Sequence, residues 1–125
     1  GSAILNVAVK HIVQRHRPAL WTLAAPESTF CFPSGHTMQA MTLALALVFL
    51  LRASRQLRVI AAAAGAFVLL VSLCRMYLGL HYPSDIAASL LLSMAWVTSV
   101  TMLFDQQRLS LAAIDTFPPA RQTHA

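Results

Sequence analysis

Cations and histidines that could bring an oxyanion to a nucleophile occur in three short groups of this chain. The first group is Lys10 and Arg17, and Pro18 follows directly. If one helix runs from about Ser2 to His16, a spacing of seven residues places both cations on one face, where they could hold an oxyanion. The same pair could instead lie at a membrane surface and attract lipid headgroups.

The second group is Pro33-Ser34-Gly35-His36, which opens a predicted helix. The free N–H groups and the dipole at a helix start favour an anion. Gly35 lets the backbone approach a ligand closely, and His36 adds a titratable proton donor. Taken alone, a serine in the position of Ser34 is more often only a helix cap, and a histidine in that of His36 is more often an interfacial residue.

The third group is Arg75, His81 and Asp85. The planar guanidinium of arginine matches phosphate oxygens. Asp85 could accept a hydrogen bond from one imidazole nitrogen of His81 and so present the other nitrogen as a nucleophile. His81 and Asp85 could also serve only as a cap for the helix that follows.

The segments that separate these groups are strongly apolar. Apolar residues make up 58% of the chain and charged residues 10%, against roughly 45–50% and about 25% in soluble domains. Residues 43–51 are apolar on every face, which favours membrane spans over a soluble helical bundle. We therefore predict an all-α transmembrane bundle, with a core over residues 1–108 and a C-terminal tail over 109–125. The predicted helices are Ser2 to His16, Met38 to Leu51 after a Ser34 cap, Val59 to Leu78, and Ile86 to Phe104 after a start at Tyr82 to Asp85.

Basic residues between the second and third helices predict the orientation. Arg52, Arg55 and Arg58 place that connection in the cytoplasm by the positive-inside rule. The three chemical groups then emerge on the opposite, extracytoplasmic side of what we expect to be a bacterial inner membrane. Residues 19–33 are predicted as a loop, and Trp21 and Tyr82 are expected at headgroup level. Because the chain begins inside a predicted helix, we expect earlier helices in the full protein.

Composition also argues against other classes of protein. The net charge of +5 does not come from a basic stripe with interleaved aromatic residues, so we predict no nucleic-acid partner. Cys31 and Cys74 match no disulfide scaffold or redox motif. His11, Arg15 and His16 lack the spacing of metal ligands and are interpreted as interfacial, so no metal site is predicted.

Together the three groups resemble the signature motifs K-x6-R-P, P-S-G-H and S-R-x5-H-x3-D of the type 2 phosphatidic acid phosphatase superfamily. The resemblance covers about residues 10–85. It implies a haloperoxidase-like helical core and a membrane lipid phosphatase that needs no metal or other cofactor. Cys74 departs from the pattern, because it stands where the third motif has serine; a thiol donates a weaker hydrogen bond than a hydroxyl.

The resemblance also implies roles for the residues of the motifs. His81 would attack phosphorus to form a phosphohistidine, Asp85 would orient it, and His36 would protonate the leaving oxygen. The remaining motif residues would bind the phosphoryl oxygens: Lys10, Arg17, Ser34, Gly35 through its amide, and Arg75.

Two other interpretations and several substrates stay open. The same pocket holds vanadate in the haloperoxidases, which are soluble, and a lipid-binding protein could keep the pocket without catalysis. The expected partner is a membrane lipid phosphate, such as undecaprenyl pyrophosphate, phosphatidylglycerol phosphate, phosphatidate or a lipid A phosphate. No sequence feature indicates an oligomeric state.

Overall fold

The computed structural model describes residues 1–17 and 30–115, with side chains as far as Leu111. This part of the chain is helical and contains no strand. The expectations for Trp21, for most of the 19–33 loop and for the end of the tail concern residues outside the described ranges. The helices are α1 Ser2–Val13, α2 Gly35–Leu50, α3 Leu57–Tyr77 and α4 Pro83–Asp115.

The four helices match the predicted order, but two of their ends differ from the prediction. Helix α4 does not end at Phe104, as predicted, but continues without a break to Asp115. Helix α1 ends at Val13, where Gln14 adopts a left-handed conformation (φ 47°) and donates its N–H to the Lys10 carbonyl. The prediction that Lys10 and Arg17 share one helix face is therefore wrong.

The early end of α1 has a physical reason in the contacts of the residues that follow. The guanidinium of Arg15 binds Asp85, and that of Arg17 donates to the Leu80 carbonyl at 3.0 Å. A further turn of helix would carry both side chains around the axis of α1. The segment leaves the helix instead, and both cations reach the start of α4.

Helix α2 is the centre of the bundle and packs against α1, α3 and α4. Ala40 and Ala44 of α2 and Val68 of α3 form the buried apolar cluster. Between α2 and α4 the contact is made by small polar residues: the hydroxyl of Ser89 donates to the Ser34 carbonyl at 3.0 Å, and that of Ser93 to the Met38 carbonyl at 3.0 Å. Small side chains permit this close approach of two backbones, as in membrane helix pairs.

Two helices are long and apolar enough to cross a membrane by length and composition. They are Leu57–Tyr77, with 21 residues, and Pro83–Leu111, with 29 residues. Their large apolar side chains are mostly directed outward, including Leu69, Leu70 and Leu91. An outward apolar surface of this kind is what lipid contact requires, since it has no protein partner within the described residues.

Candidate active site

His81 lies in the short connection between α3 and α4 and is almost fully buried, with 4% of its surface exposed. Helix α3 ends in a turn in which Gly79 has a φ of 67°, a value that favours glycine. The N–H of Gly79 bonds to the Met76 carbonyl, and the N–H of Leu80 to the Arg75 carbonyl, which is the Schellman pattern. This turn ends α3 and directs the chain inward, so that His81 is buried two residues after Gly79.

Asp85 stands in the first turn of α4 and is completely buried. Its Oδ2 accepts the Tyr82 N–H at 2.9 Å, which is the carboxylate half of a capping box. The same Oδ2 lies 3.6 Å from Nδ1 of His81, slightly longer than a hydrogen bond, and Nδ1 has no other partner among the described residues. Asp85 therefore both caps the start of α4 and faces His81, so the two interpretations of this residue do not exclude each other.

Arg15 completes the surroundings of this carboxylate and was missed as a site residue. Its Nη1 lies 2.8 Å from Oδ1 of Asp85 and 2.7 Å from Oγ of Ser84. Its guanidinium carbon is 4.2 Å from the centre of the Tyr82 ring. The interpretation of Arg15 as merely interfacial is wrong; the only sequence signal was a third cation near Pro18.

Burial and nearby cations control the protonation of His81. The pKa of His81 is lowered from its ordinary 6.5, first by burial and then by the positive charges of Arg17 and Lys10. The negative charge of Asp85 and a hydrogen bond with the Cys31 main chain oppose this shift. The imidazole is therefore neutral near pH 7, and only a neutral imidazole has a lone pair for nucleophilic attack.

The start of α2 meets the start of α4 beside His81. The Ser34 N–H donates to the Asp85 carbonyl at 3.4 Å. The Ser34 hydroxyl is fully buried, makes no cap bond and has no hydrogen-bond partner among the described residues, and the same holds for Oγ1 of Thr37. Ser34 occupies the predicted N-cap position, but its hydroxyl does not cap the helix. Because a buried donor without a partner is costly, this hydroxyl is a candidate to bind a ligand.

Asn6 of α1 explains why a glycine stands at position 35. A Cβ added at Gly35 would lie 3.3 Å from Oδ1 of Asn6, tighter than an ordinary contact. The Nδ2 of Asn6 donates to the Pro33 carbonyl at 3.4 Å and contacts Sδ of Met38 at 3.5 Å. Gly35 thus permits close packing of α1 on α2. Asn6 was missed by the sequence analysis, although a lone amide in an apolar helix, one turn before Lys10, was a usable signal.

The other predicted site residues lie at the same end of the bundle. His36 is exposed in the first turn of α2, Lys10 is half-buried in the last turn of α1, and Arg75 is half-buried in the last turn of α3. Cys74 is exposed. Direct contacts or charge effects join Lys10, Arg17, His81 and Asp85. His36 and Arg75 lie in the first turn of α2 and the last turn of α3.

A cavity of about 520 Å³ lies between α2 and α4 at the other end of the bundle. Its lining includes Phe49 of α2, Arg52 just after the end of α2, and Trp96, Phe104 and Arg108 of α4. All of these residues are remote from the helix starts that surround His81. The candidate active site is therefore identified by its converging polar groups and not by the size of a cavity.

The chain belongs to the PAP2 superfamily, whose family model matches residues 1–109. It is 33% identical over 88 residues to phosphatidylglycerophosphatase B of Bacillus subtilis, and the match covers 66% of this chain and 43% of that protein. It also resembles the crystal structure of a transmembrane PAP2-type phosphatidylglycerolphosphate phosphatase from Bacillus subtilis, with 30% identity and a TM-score of 0.71. That match covers 84% of this chain and 54% of the solved one.

These likenesses confirm the predicted superfamily and the predicted fold class, an all-helical transmembrane bundle. Together with the two apolar helices of spanning length, they make the chain an integral membrane protein. The chain spans about half the length of the relatives that it matches.

Proposed function

We propose that this chain carries the catalytic site of a membrane lipid phosphatase that hydrolyses a phosphate monoester or a pyrophosphate through a phosphohistidine on His81. The observation that carries the proposal is a buried, neutral imidazole whose Nδ1 faces a buried carboxylate at 3.6 Å. Burial, and then the positive charges of Arg17 and Lys10, lower the pKa of His81 and so keep its lone pair available. This combination suits attack on an anionic substrate better than a purely structural cap does.

In the proposed reaction, Nε2 of His81, the ring nitrogen that does not face Asp85, attacks phosphorus. An N–P bond forms and the bond from phosphorus to the leaving oxygen breaks. Asp85 stabilises the positive charge that develops on the imidazole. His36 donates a proton to the leaving oxygen as general acid, and its exposure at the rim suits contact with a leaving group and with water. Water then attacks phosphorus with His36 as base, which releases inorganic phosphate and regenerates His81.

The equatorial oxygens of the phosphoryl group carry negative charge in the transition state. Lys10, Arg17 and Arg75 supply three positive charges for them in this scheme. Ser34 contributes a buried hydroxyl without a protein partner, and Gly35 an N–H at the start of α2. Because these groups provide the electrostatic stabilisation, the scheme contains no step that depends on a metal ion.

Phosphatidylglycerol phosphate is the first substrate to test, because both matched relatives are named for that activity. Undecaprenyl pyrophosphate, phosphatidate and a lipid A phosphate complete the panel. Arg52, Arg55 and Arg58 support an orientation with the site on the extracytoplasmic side of a bacterial inner membrane.

Phosphate release by the detergent-solubilised full-length protein tests the proposal. We expect His81→Ala to abolish release from every substrate, because the nucleophile is lost. His11→Ala is the matched control, since His11 is exposed on α1 and its ring packs edge-on against Phe30; it should keep wild-type turnover. Substantial turnover by folded His81→Ala protein would refute the mechanism. If the folded wild-type protein released no phosphate from any lipid of the panel, the result would favour a non-catalytic lipid-binding role.

A further inference from the structure

Arg15 contacts three residues at the start of α4, which are Tyr82, Ser84 and Asp85. Its guanidinium donates to Oγ of Ser84 at 2.7 Å and to Oδ1 of Asp85 at 2.8 Å, while its face lies over the Tyr82 ring at 4.2 Å. An Arg side chain can satisfy all three contacts at once because its donors lie in a rigid plane that also stacks on an aromatic ring.

The two oxygens of Asp85 are divided between two tasks. Oδ1 accepts the bond from Arg15, whereas Oδ2 accepts the Tyr82 N–H and faces Nδ1 of His81. The terminal torsion of an aspartate is broad and roughly two-fold, so a carboxylate with one tether can turn. Arg15 adds the second tether and thereby fixes which oxygen faces His81. It also balances the charge of a carboxylate that is completely buried.

The main chain around Arg15 is itself anchored. The Cys31 N–H donates to the Arg15 carbonyl at 3.0 Å, and the Cys31 thiol donates to the His16 carbonyl at 3.1 Å. The left-handed Gln14 directs this segment off α1 toward α4. The guanidinium is therefore presented to Asp85 from a fixed segment and not from a free surface side chain.

We propose that Arg15 is a positioning residue that acts on the reaction through Asp85, by holding the carboxylate in the orientation that aligns His81. The inference rests on the proposed function, since alignment of His81 matters only if His81 reacts. The proposal gives Arg15 and Arg17 different roles. Arg17, two residues later, donates to the Leu80 carbonyl, and we assign it to phosphate binding. The two arginines thus have different tasks, one toward the carboxylate and one toward the substrate.

A double-mutant cycle on the full-length protein tests this assignment, with Arg15→Ala, Asp85→Asn and the double variant. Single-turnover phosphate release from the most active lipid of the panel keeps small rates measurable. We expect Arg15→Ala to lower the single-turnover rate about 10- to 100-fold, the range that misplacement of a catalytic group produces, with KM changed less than about twofold. In the Asp85→Asn background, Arg15→Ala should change the rate less than about twofold, because residues that act as one unit are not additive.

The pH profile provides a second readout that a merely structural role would not move. Without Arg15, the full charge of Asp85 acts on His81 and favours its protonated form. The acidic limb of kcat/KM should therefore move to higher pH in Arg15→Ala. Arg15→Lys, which keeps the charge but not the planar fork, should restore the position of the limb and only part of the rate.

Several results would overturn the proposal. A raised KM with an unchanged rate would make Arg15 a substrate ligand, and additive effects in the cycle would separate Arg15 from Asp85. If Arg15→Ala is not recovered folded, as judged by thermal unfolding in detergent, Arg15→Gln replaces it in the same cycle. His81→Ala is measured in parallel: an inactive His81→Ala with an unimpaired Arg15 variant refutes only the role of Arg15, whereas an active His81→Ala refutes the proposed function.

Discussion

The substitution Gly35→Ala tests how closely α1 must approach the start of α2. The added Cβ would lie 3.3 Å from Oδ1 of Asn6, a few tenths of an ångström inside ordinary carbon contacts of about 3.5–4.0 Å. The Nδ2 of Asn6 is held by the Pro33 carbonyl and by Sδ of Met38. Asn6 can therefore move away only if those contacts lengthen or α1 itself shifts.

The expected effect on stability is small because two terms oppose each other. Replacing glycine by alanine stabilises by roughly 0.4–1 kcal/mol where the backbone conformation is compatible, and Gly35 has no positive φ. Overpacking costs about 1–3 kcal/mol, and a displacement of a few tenths of an ångström belongs at the low end. We expect the free energy of unfolding to change by less than about 1 kcal/mol.

The expected effect on activity is larger because Lys10 lies one turn after Asn6 on the same face of α1. A misplacement of about 1 Å can cost roughly 100-fold in rate. A shift of a few tenths of an ångström should then lower kcat/KM about threefold to tenfold. In the Gly35→Ala background, Asn6→Ala makes room for the new methyl group and should recover part of this loss.

Gly65→Ala is the matched control, because a Cβ at Gly65 in α3 meets no atom within 4 Å. It should stabilise the helix by roughly 0.5–1 kcal/mol and leave kcat/KM unchanged. The assay is phosphate release together with denaturant unfolding in mixed micelles. Equal kcat/KM values for Gly35→Ala and Gly65→Ala would refute the packing argument, and so would a fall of more than about 3 kcal/mol in the free energy of unfolding of Gly35→Ala.

Three further predictions concern the charges and thiols of the site. Because the pKa of His81 lies below 6.5, its neutral form persists as pH falls, and kcat/KM should decline only below pH 6.5. Arg17→Gln removes a cation that lowers this pKa, so a pH–rate profile of the variant should show the decline at higher pH. Burial and the charge of Asp85 raise the pKa of the Cys31 thiol from 9.0 to about 11, so mass spectrometry after iodoacetamide treatment at pH 8 should find Cys74 labelled and Cys31 unlabelled unless the protein is unfolded. Orthovanadate, which resembles the trigonal transition state, should inhibit phosphate release while EDTA should not; strong EDTA sensitivity would contradict the metal-independent scheme.

Much of this architecture could be predicted because its signals are local in sequence. Continuous apolar segments predicted α3 and α4, and Pro83 with Asp85 marked the start of α4. The position of His81, four residues before Asp85 at a helix start, predicted that the carboxylate would face the imidazole. These features depend on neighbours within one or two helical turns.

The rest depends on contacts between distant segments. Arg15 and Asp85 are 70 residues apart, and no local pattern distinguishes Arg15 from an interfacial cation. The approach of Asn6 to Gly35 likewise requires α1 to be packed on α2. The wrong prediction of a helix through His16 has the same origin, because tertiary contacts of Arg15 and Arg17 end α1 before Pro18 does.

Trapping the intermediate tests the central claim most directly. The full-length protein would be mixed with phosphatidylglycerol phosphate labelled in its terminal phosphate, quenched in alkali, in which phosphohistidine survives, and mapped by peptide mass spectrometry. We expect the label on His81 in wild-type protein, slower labelling of His81 in His36→Ala, where the acid for the first step is lost, and no label in His81→Ala. Rapid phosphate release without a trapped label on His81, or a label on a different residue, would contradict the account.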